Sequence, residues 1–185
     1  MDEIKRMMNY SLYTTDIVKF LKKYNIQCKV YTYNQLNKFH DIDKALGKDK
    51  CFVLLYMSRP NYGHYITVFK RDKDNIEVYD SYKDMKPDYE FKYIPSEYRQ
   101  QLGETYPHLT QLLYDSGYKV HYNNHKMQQL SNNISTCGRH VIVRLIKRRM
   151  NIDEYYRWVK KICKEYRITP DMLVTIMTSN IKMRN

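Results

Sequence analysis

Apolar positions along this 185-residue chain change period several times, and each change marks an element. Over residues 13–24, "YTTDIVKFLKKY" sets Ile17, Val18, Phe20, Leu21 and Tyr24 on one face at helical spacing, with Thr14 or Thr15 able to cap the start. "QCKVYTYNQL" alternates like a short strand or extended arm. "KDKCFVLLYMS" is a continuous apolar run bounded by charge and by Arg59-Pro60, the pattern of a buried strand. "HYITVFK" and "NIEVYDS" follow on either side of the polar turn at residues 71–75, so three consecutive strands form a meander.

Downstream, a helix is expected from Pro95-Ser96 with Ser96 as its cap, then a break over residues 103–107, then a second piece, "HLTQLLYDSG", ended by Gly117. "YKVHYNN" returns as a strand. From Thr136 the pattern turns helical: Val141, Ile142, Leu145 and Ile146 recur at three and four, while Arg144, Lys147, Arg148 and Arg149 fall on other faces. Two further helices fit "DEYYRWVKKICKEY" and "TPDMLVTIMTSN", the last with Thr169 as cap and Pro170 in the first position. With no repeats, low-complexity segments or linkers, residues 1–185 read as one domain.

Composition narrows the class. The chain is 43% hydrophobic and 14% aromatic, with 20 tyrosines, so its polar balance is that of a folded globule, long enough to bury a core without disulfides. Its longest apolar runs, residues 52–56 and 141–143, fall far short of the roughly 20 residues of a membrane span, and "MDEIKRMMNY" lacks the apolar centre of a signal peptide. A soluble, intracellular, membrane-free protein is expected. Cys28, Cys51, Cys137 and Cys163 form no CxxC pair and suit a reducing compartment.

A net charge of +12 implies attraction to polyanions, most simply nucleic acid. Arg144, Lys147, Arg148 and Arg149 are the candidate phosphate-binding face, with Lys160, Lys161 and Lys164 as an alternative. A solvated, lysine-rich surface accounts for the same charge, and no recognition-helix or RNA-binding signature is present.

Cys137 opens the helix that begins after Thr136, and a helix N-terminus favours the thiolate of a cysteine placed there. Gly138 beside it leaves room for a backbone or a substrate to approach closely. A small buried thiol at a helix start would look the same. A nucleophile needs a base, an orienter and donors for the developing oxyanion. If "HYITVFK" and "NIEVYDS" pair as a hairpin, His64 and Asp80 come together at its open end, where the carboxylate can hold the imidazole. Zinc ligation by His121, His125, Cys137 and His140 is disfavoured, because residues four apart in an extended "YKVHYNN" lie about 13 Å from each other. No metal site is assigned.

The order Gly63-His64-Tyr65, Asp80-Ser81-Tyr82, Gln128-Gln129 and Thr136-Cys137-Gly138 resembles the adenovirus-type and Ulp/SUMO-protease superfamily of cysteine peptidases. "CFVLLYMSRPNYGHYITVF" and "TCGRHVIVRL" look particularly like proteases of large DNA viruses and related mobile elements. The similarity covers about residues 15–178 and is strongest over 51–145. It implies an α+β fold, a small mostly antiparallel sheet packed against a central helix that carries Cys137 at its N-terminus. It also implies Cys137 as nucleophile, His64 as base and then acid, Asp80 as orienter, and Gln129 with the Cys137 backbone N–H as oxyanion donors. Tyr65 replaces the family's usual Trp as part of an aromatic substrate wall. Gln129 sits eight residues before Cys137 rather than the usual six, which leaves Gln128 as its rival.

The resemblance implies no cofactor, with activation by DNA or a peptide open, and a monomer acting on a protein. Viral structural precursors cut at Gly-X-Gly or Gly-Gly-like sites fit the small core and the Cys motif. Ubiquitin-like conjugates are the alternative substrate, and a basic nucleic-acid-binding protein the alternative class. The expected setting is host cytoplasm, viral factory or virion.

Overall fold

A computed structural model describes residues 2–59, 62–181 and 183. Its helices are α1 (Asp2–Asn9), α2 (Thr14–Lys22), α3 (Ile42–Leu46), α4 (Ser96–Leu102), α5 (His108–Asp115), α6 (Cys137–Ile146), α7 (Ile152–Tyr166) and α8 (Pro170–Met177). The strands are β1 (Lys29–Thr32), β2 (Cys51–Arg59), β3 (Tyr62–Lys70), β4 (Asn75–Tyr79) and β5 (Lys119–Tyr122), which lie side by side in chain order. The expected meander β2–β3–β4 is antiparallel, while β1 joins β2 and β5 joins β4 in parallel. The fold is α+β.

Strand alternation explains the apolar run of β2. Phe52, Leu54 and Tyr56 join Ile66, Val68, Ile76 and Val78 in a core under α3 and α5, whereas Val53 and Leu55 join Tyr65, Phe69 and Tyr79 under α2, α6, α7 and α8. The sheet is therefore covered on both faces, as strands with parallel neighbours and crossover connections require. No helix among the described residues is long and apolar enough to cross a membrane.

Several local expectations change. Helix α2, expected to run to Tyr24, ends at Lys22 and buries Ile17, Phe20 and Leu21, but Val18 and Tyr24 stay exposed. Neither threonine caps it: Tyr13 precedes the first turn, and its N–H donates to the Asp16 carboxylate at 3.0 Å. Ser96 lies inside α4 behind Pro95, while Gly103, at φ 71°, ends that helix. Short helices α1 and α3 were not anticipated, although Ile4, Met7 and Met8 of α1 stand at helical spacing and Met7 is buried. At α8 the expected cap forms, with the Met172 N–H donating to Thr169 Oγ1 at 3.2 Å and Pro170 in the first position. Pro60 lies outside the described residues.

Helix α6 is buried on every side, which removes Arg144 from the expected phosphate-binding face. Arg144 is fully buried and pairs bidentately with buried Glu77 through Nε–Oε1 and Nη2–Oε2 bonds of 2.7 Å each. It also donates to the carbonyls of Lys147 and Met150 and lies 4.8 Å from the Tyr155 ring centre. A guanidinium committed to a carboxylate inside the core is not available to a phosphate. Lys147 packs over Trp158 at 4.9 Å, and Arg148 donates to Cys51 Sγ at 3.7 Å, both half-buried; only Arg149 of the four is exposed.

Candidate active site

The first element of the site is a backbone constraint. A Cβ on Gly63 would lie 1.8 Å from the Tyr56 carbonyl oxygen, so glycine alone lets β3 run against β2 where the ladder is irregular, between Met57 and Arg59. His64 follows, paired with Tyr56. Its Nε2 meets Asp80 Oδ1 at 2.9 Å, with the two side chains 11% and 4% exposed. The same Asp80 oxygen accepts the Tyr82 N–H at 2.8 Å, and the Tyr82 ring stacks on the imidazole with centres 4.6 Å apart. The carboxylate and the ring thus restrain His64 from two directions.

A cavity of about 560 Å³ opens beside this pair, and Cys137 lines it together with His64, Tyr65, Tyr82, Glu90 and Gln128. The structure therefore brings the sequence-assigned Cys137, His64 and Asp80 to one place. Tyr65 forms part of the wall as expected, 7% exposed, with its hydroxyl 3.2 Å from Thr14 Oγ1. Burial works against a charged imidazole, but the Asp80 and Glu90 carboxylates outweigh it, and Cys137 adds to them, so the His64 pKa is held well above 6.5. Burial pushes the Tyr82 phenol up to about 12.

Two assignments need correction. Gln128, not Gln129, is the glutamine at the cavity. Gln128 is 2% exposed, and its Oε1 accepts the Ser81 hydroxyl at 2.7 Å, which turns Nε2 toward Tyr82 and the cavity. The backbone sets this choice, because the N–H groups of Met127 and Gln128 both donate to the Ser81 carbonyl and leave the Gln129 side chain in solvent. Gly138 does not face a substrate either. A Cβ there would sit 3.3 Å from Leu12 and Ile17 side-chain atoms, so the glycine admits the packing of α2 and the segment before it onto α6.

Glu90 is a site residue that the sequence did not reveal. It lies in a 3₁₀ turn, Tyr89–Tyr93, that no periodicity marks. Asp88 holds that turn, taking hydrogen bonds from the Tyr33 and Tyr56 hydroxyls at 2.8 and 2.9 Å and from Thr110 N–H at 2.9 Å. Glu90 is 9% exposed, and its Oε1 has no hydrogen-bond partner among the described residues. Burial pushes its carboxyl pKa up, against the pull of His64. His64, Asp80 and Glu90 offer a ring nitrogen and two carboxylate oxygens within 4.8 Å of one another, the one set among the described residues that could hold a cation. The four residues weighed as zinc ligands are not in that set. His121 bonds Asn75 at 2.7 Å, His125 bonds Asp153 at 2.9 Å, and His140 bonds Asp171 at 3.0 Å.

The site is thus a thiol, an imidazole, a carboxylate and a buried amide around one cavity of an α+β fold. The chain is 37% identical over 178 residues to the uncharacterized protein V9 of Sputnik virophage, covering 96% of this chain and 99% of that protein, and it belongs to the same family. No family model matches. The crystal structure of the ASFV pS273R protease aligns over 97% of this chain and 70% of its own, with a TM-score of 0.48 and 14% identity.

Proposed function

We propose that the protein is a cysteine peptidase. The observation that carries this reading is the 2.9 Å His64–Asp80 bond in the wall of the cavity that also contains Cys137, at the first position of α6. With Nε2–H donated to Asp80, Nδ1 is the nitrogen left for the thiol. The Cys137 proton rests on His64 Nδ1, where Asp80 and Glu90 hold it, and Sγ attacks the scissile carbonyl. The oxyanion takes hydrogen bonds from Gln128 Nε2 and the Cys137 backbone N–H. His64 then protonates the departing amine and leaves a thioester. A water, deprotonated by His64, attacks the thioester; the acid is released as Sγ is expelled, and the proton stays on His64.

The substrate in this reading is a protein. Within that class we propose viral structural precursors cut next to small residues, supported by the sequence resemblance and by a relative that belongs to a virophage. An electrophilic peptide probe ending in Gly-Gly, with and without added DNA, tests the core of it. Covalent labelling at Cys137 that disappears in His64→Ala is expected. Labelling spread evenly over Cys28, Cys137 and Cys163 would remove the peptidase assignment.

A further inference from the structure

Gln129 and His140 were singled out in the sequence, and the chemistry above uses neither side chain. Both converge on one carboxylate. Asp171, in the first turn of α8 and 2% exposed, accepts the Gln129 backbone N–H on Oδ2 at 3.0 Å. Its Oδ1 accepts His140 Nε2–H at 3.0 Å and the Thr136 hydroxyl in a short hydrogen bond. These donors come from the residue after Gln128, the residue before Cys137, and the third residue beyond Cys137 on α6.

We propose that Asp171 is the positioning residue of the site, a strap from α8 that holds the Gln128 loop and the N-terminus of α6 in one arrangement. The inference rests on the peptidase reading for its catalytic consequence, though not for its structural one. Residues 129–136 connect the two groups that would face the oxyanion, and the loop is otherwise polar and largely exposed. A segment of that kind orders only where its backbone groups find partners. Ser81 holds the loop at Met127 and Gln128, the Met8 carbonyl takes the Ser135 N–H at 2.7 Å, and Asp171 alone ties both ends, at Gln129 and Thr136. Oxyanion donors act by being placed before the charge forms, and a displacement of about 1 Å can cost on the order of 10²-fold in rate.

An ionised carboxylate suits the task because it accepts all three hydrogen bonds and donates none, whereas an amide turns two N–H donors into the same cluster. Burial alone raises the Asp171 pKa, but the hydrogen bonds from His140, Thr136 and Gln129 outweigh it and hold the carboxyl below its ordinary value. His140 Nδ1 is buried with no hydrogen-bond partner among the described residues, and among them the ring's polar contact is the one it makes with Asp171.

The test compares wild type with Asp171→Asn by backbone hydrogen exchange and by peptide turnover. Exchange over residues 127–136 is expected to rise at least tenfold, with the strands β2–β4 unchanged, and kcat to fall at least tenfold while KM stays within about threefold. Exchange that rises equally everywhere would make Asp171 a general stabiliser and overturn the proposal; unchanged exchange over 127–136 would also overturn it. If Asp171→Asn does not fold, Thr136→Val and Thr136→Ser decide. Loss in the first with recovery in the second supports the strap, and equal loss in both overturns it. Local exchange does not depend on the reactivity of Cys137. An inactive wild type whose Asp171→Asn form loosens only at 127–136 would therefore remove the peptidase reading and keep the strap.

Discussion

His64 and Asp80 meet at 2.9 Å although neither is the other's partner in the strand ladder. The β3–β4 register ends at Thr67 opposite Tyr79; continued outward, it sets His64 opposite Tyr82, and those two rings do stack. Asp80 is two residues from Tyr82 on the same face, and so becomes the diagonal neighbour of His64. The hairpin makes the pair, and β4 needs no residue beyond Tyr79 in the sheet to do so.

This pair sets a pH dependence. Asp80 and Glu90 hold His64 protonated well above pH 6.5 against the effect of burial. A histidine whose folded pKa is raised contributes stability that is fully present below its unfolded value, about 6.5, and lost as pH rises through the raised folded value. Thermal unfolding of wild type against His64→Gln across pH 5–10 is expected to show that loss in wild type alone. Asp80→Asn is expected to lower kcat/KM by about 10² or more and to move its alkaline fall to lower pH, read from a pH–rate profile.

The correction at the oxyanion position has its own test. Gln128→Ala removes the buried amide and is expected to lower kcat by about 10²-fold. Gln129→Ala keeps the backbone N–H that Asp171 holds, and less than about threefold loss is expected. Equal losses in the two variants would return Gln129 to the role.

Arg144 and Glu77 form a buried bidentate pair, so their substitution acts on folding rather than on polyanion binding. Arg144→Met alone removes both short bonds to buried Glu77 and leaves it the longer 3.4 Å contact with Arg71, so a loss of about 3 kcal/mol is expected, read from urea unfolding. The double change Arg144→Met with Glu77→Leu is expected to recover most of that loss. If Arg144→Met instead weakens DNA binding with stability unchanged, the core assignment is wrong.

Glu104 supplies a second pH signature of the same sign, in a more acidic window and away from the dyad. It is fully buried, and burial raises its pKa to about 7 against the Met57 N–H and Arg99, which lower it. Below about pH 4.5 both folded and unfolded states hold this proton, and between 4.5 and 7 only the folded state does. Stability therefore falls as pH rises through that window, by up to about 3 kcal/mol. Glu104→Gln is expected to flatten the decline and to stabilise the protein at pH 8 but not at pH 4.

The meander, the helix opened by Cys137 and the capped α8 were legible because each depends on nearest neighbours along the chain. Apolar period, a polar turn and a Thr-Pro start specify them locally. The meeting of His64 and Asp80 was legible for a related reason, since a hairpin of known turn determines which of its residues share an end; Cys137, on α6, was tied to them by the order of motifs the chain resembles. What the sequence could not decide was direction. Gln128 and Gln129 differ by one step along a loop, and only the hydrogen bonds from Met127 and Gln128 to Ser81, with Gln129 held by Asp171, point one inward and the other out. Arg144 looked like a surface cation because its charge is visible in sequence, whereas Glu77, sixty-seven residues earlier, is brought against it only by packing α6 onto the sheet. Glu90 reached the imidazole through a turn that Tyr33, Tyr56 and Thr110 hold on Asp88. Local pattern determined the elements and the open end of the hairpin; contacts between residues distant in the chain decided which polar groups face the cavity and which are buried as structure.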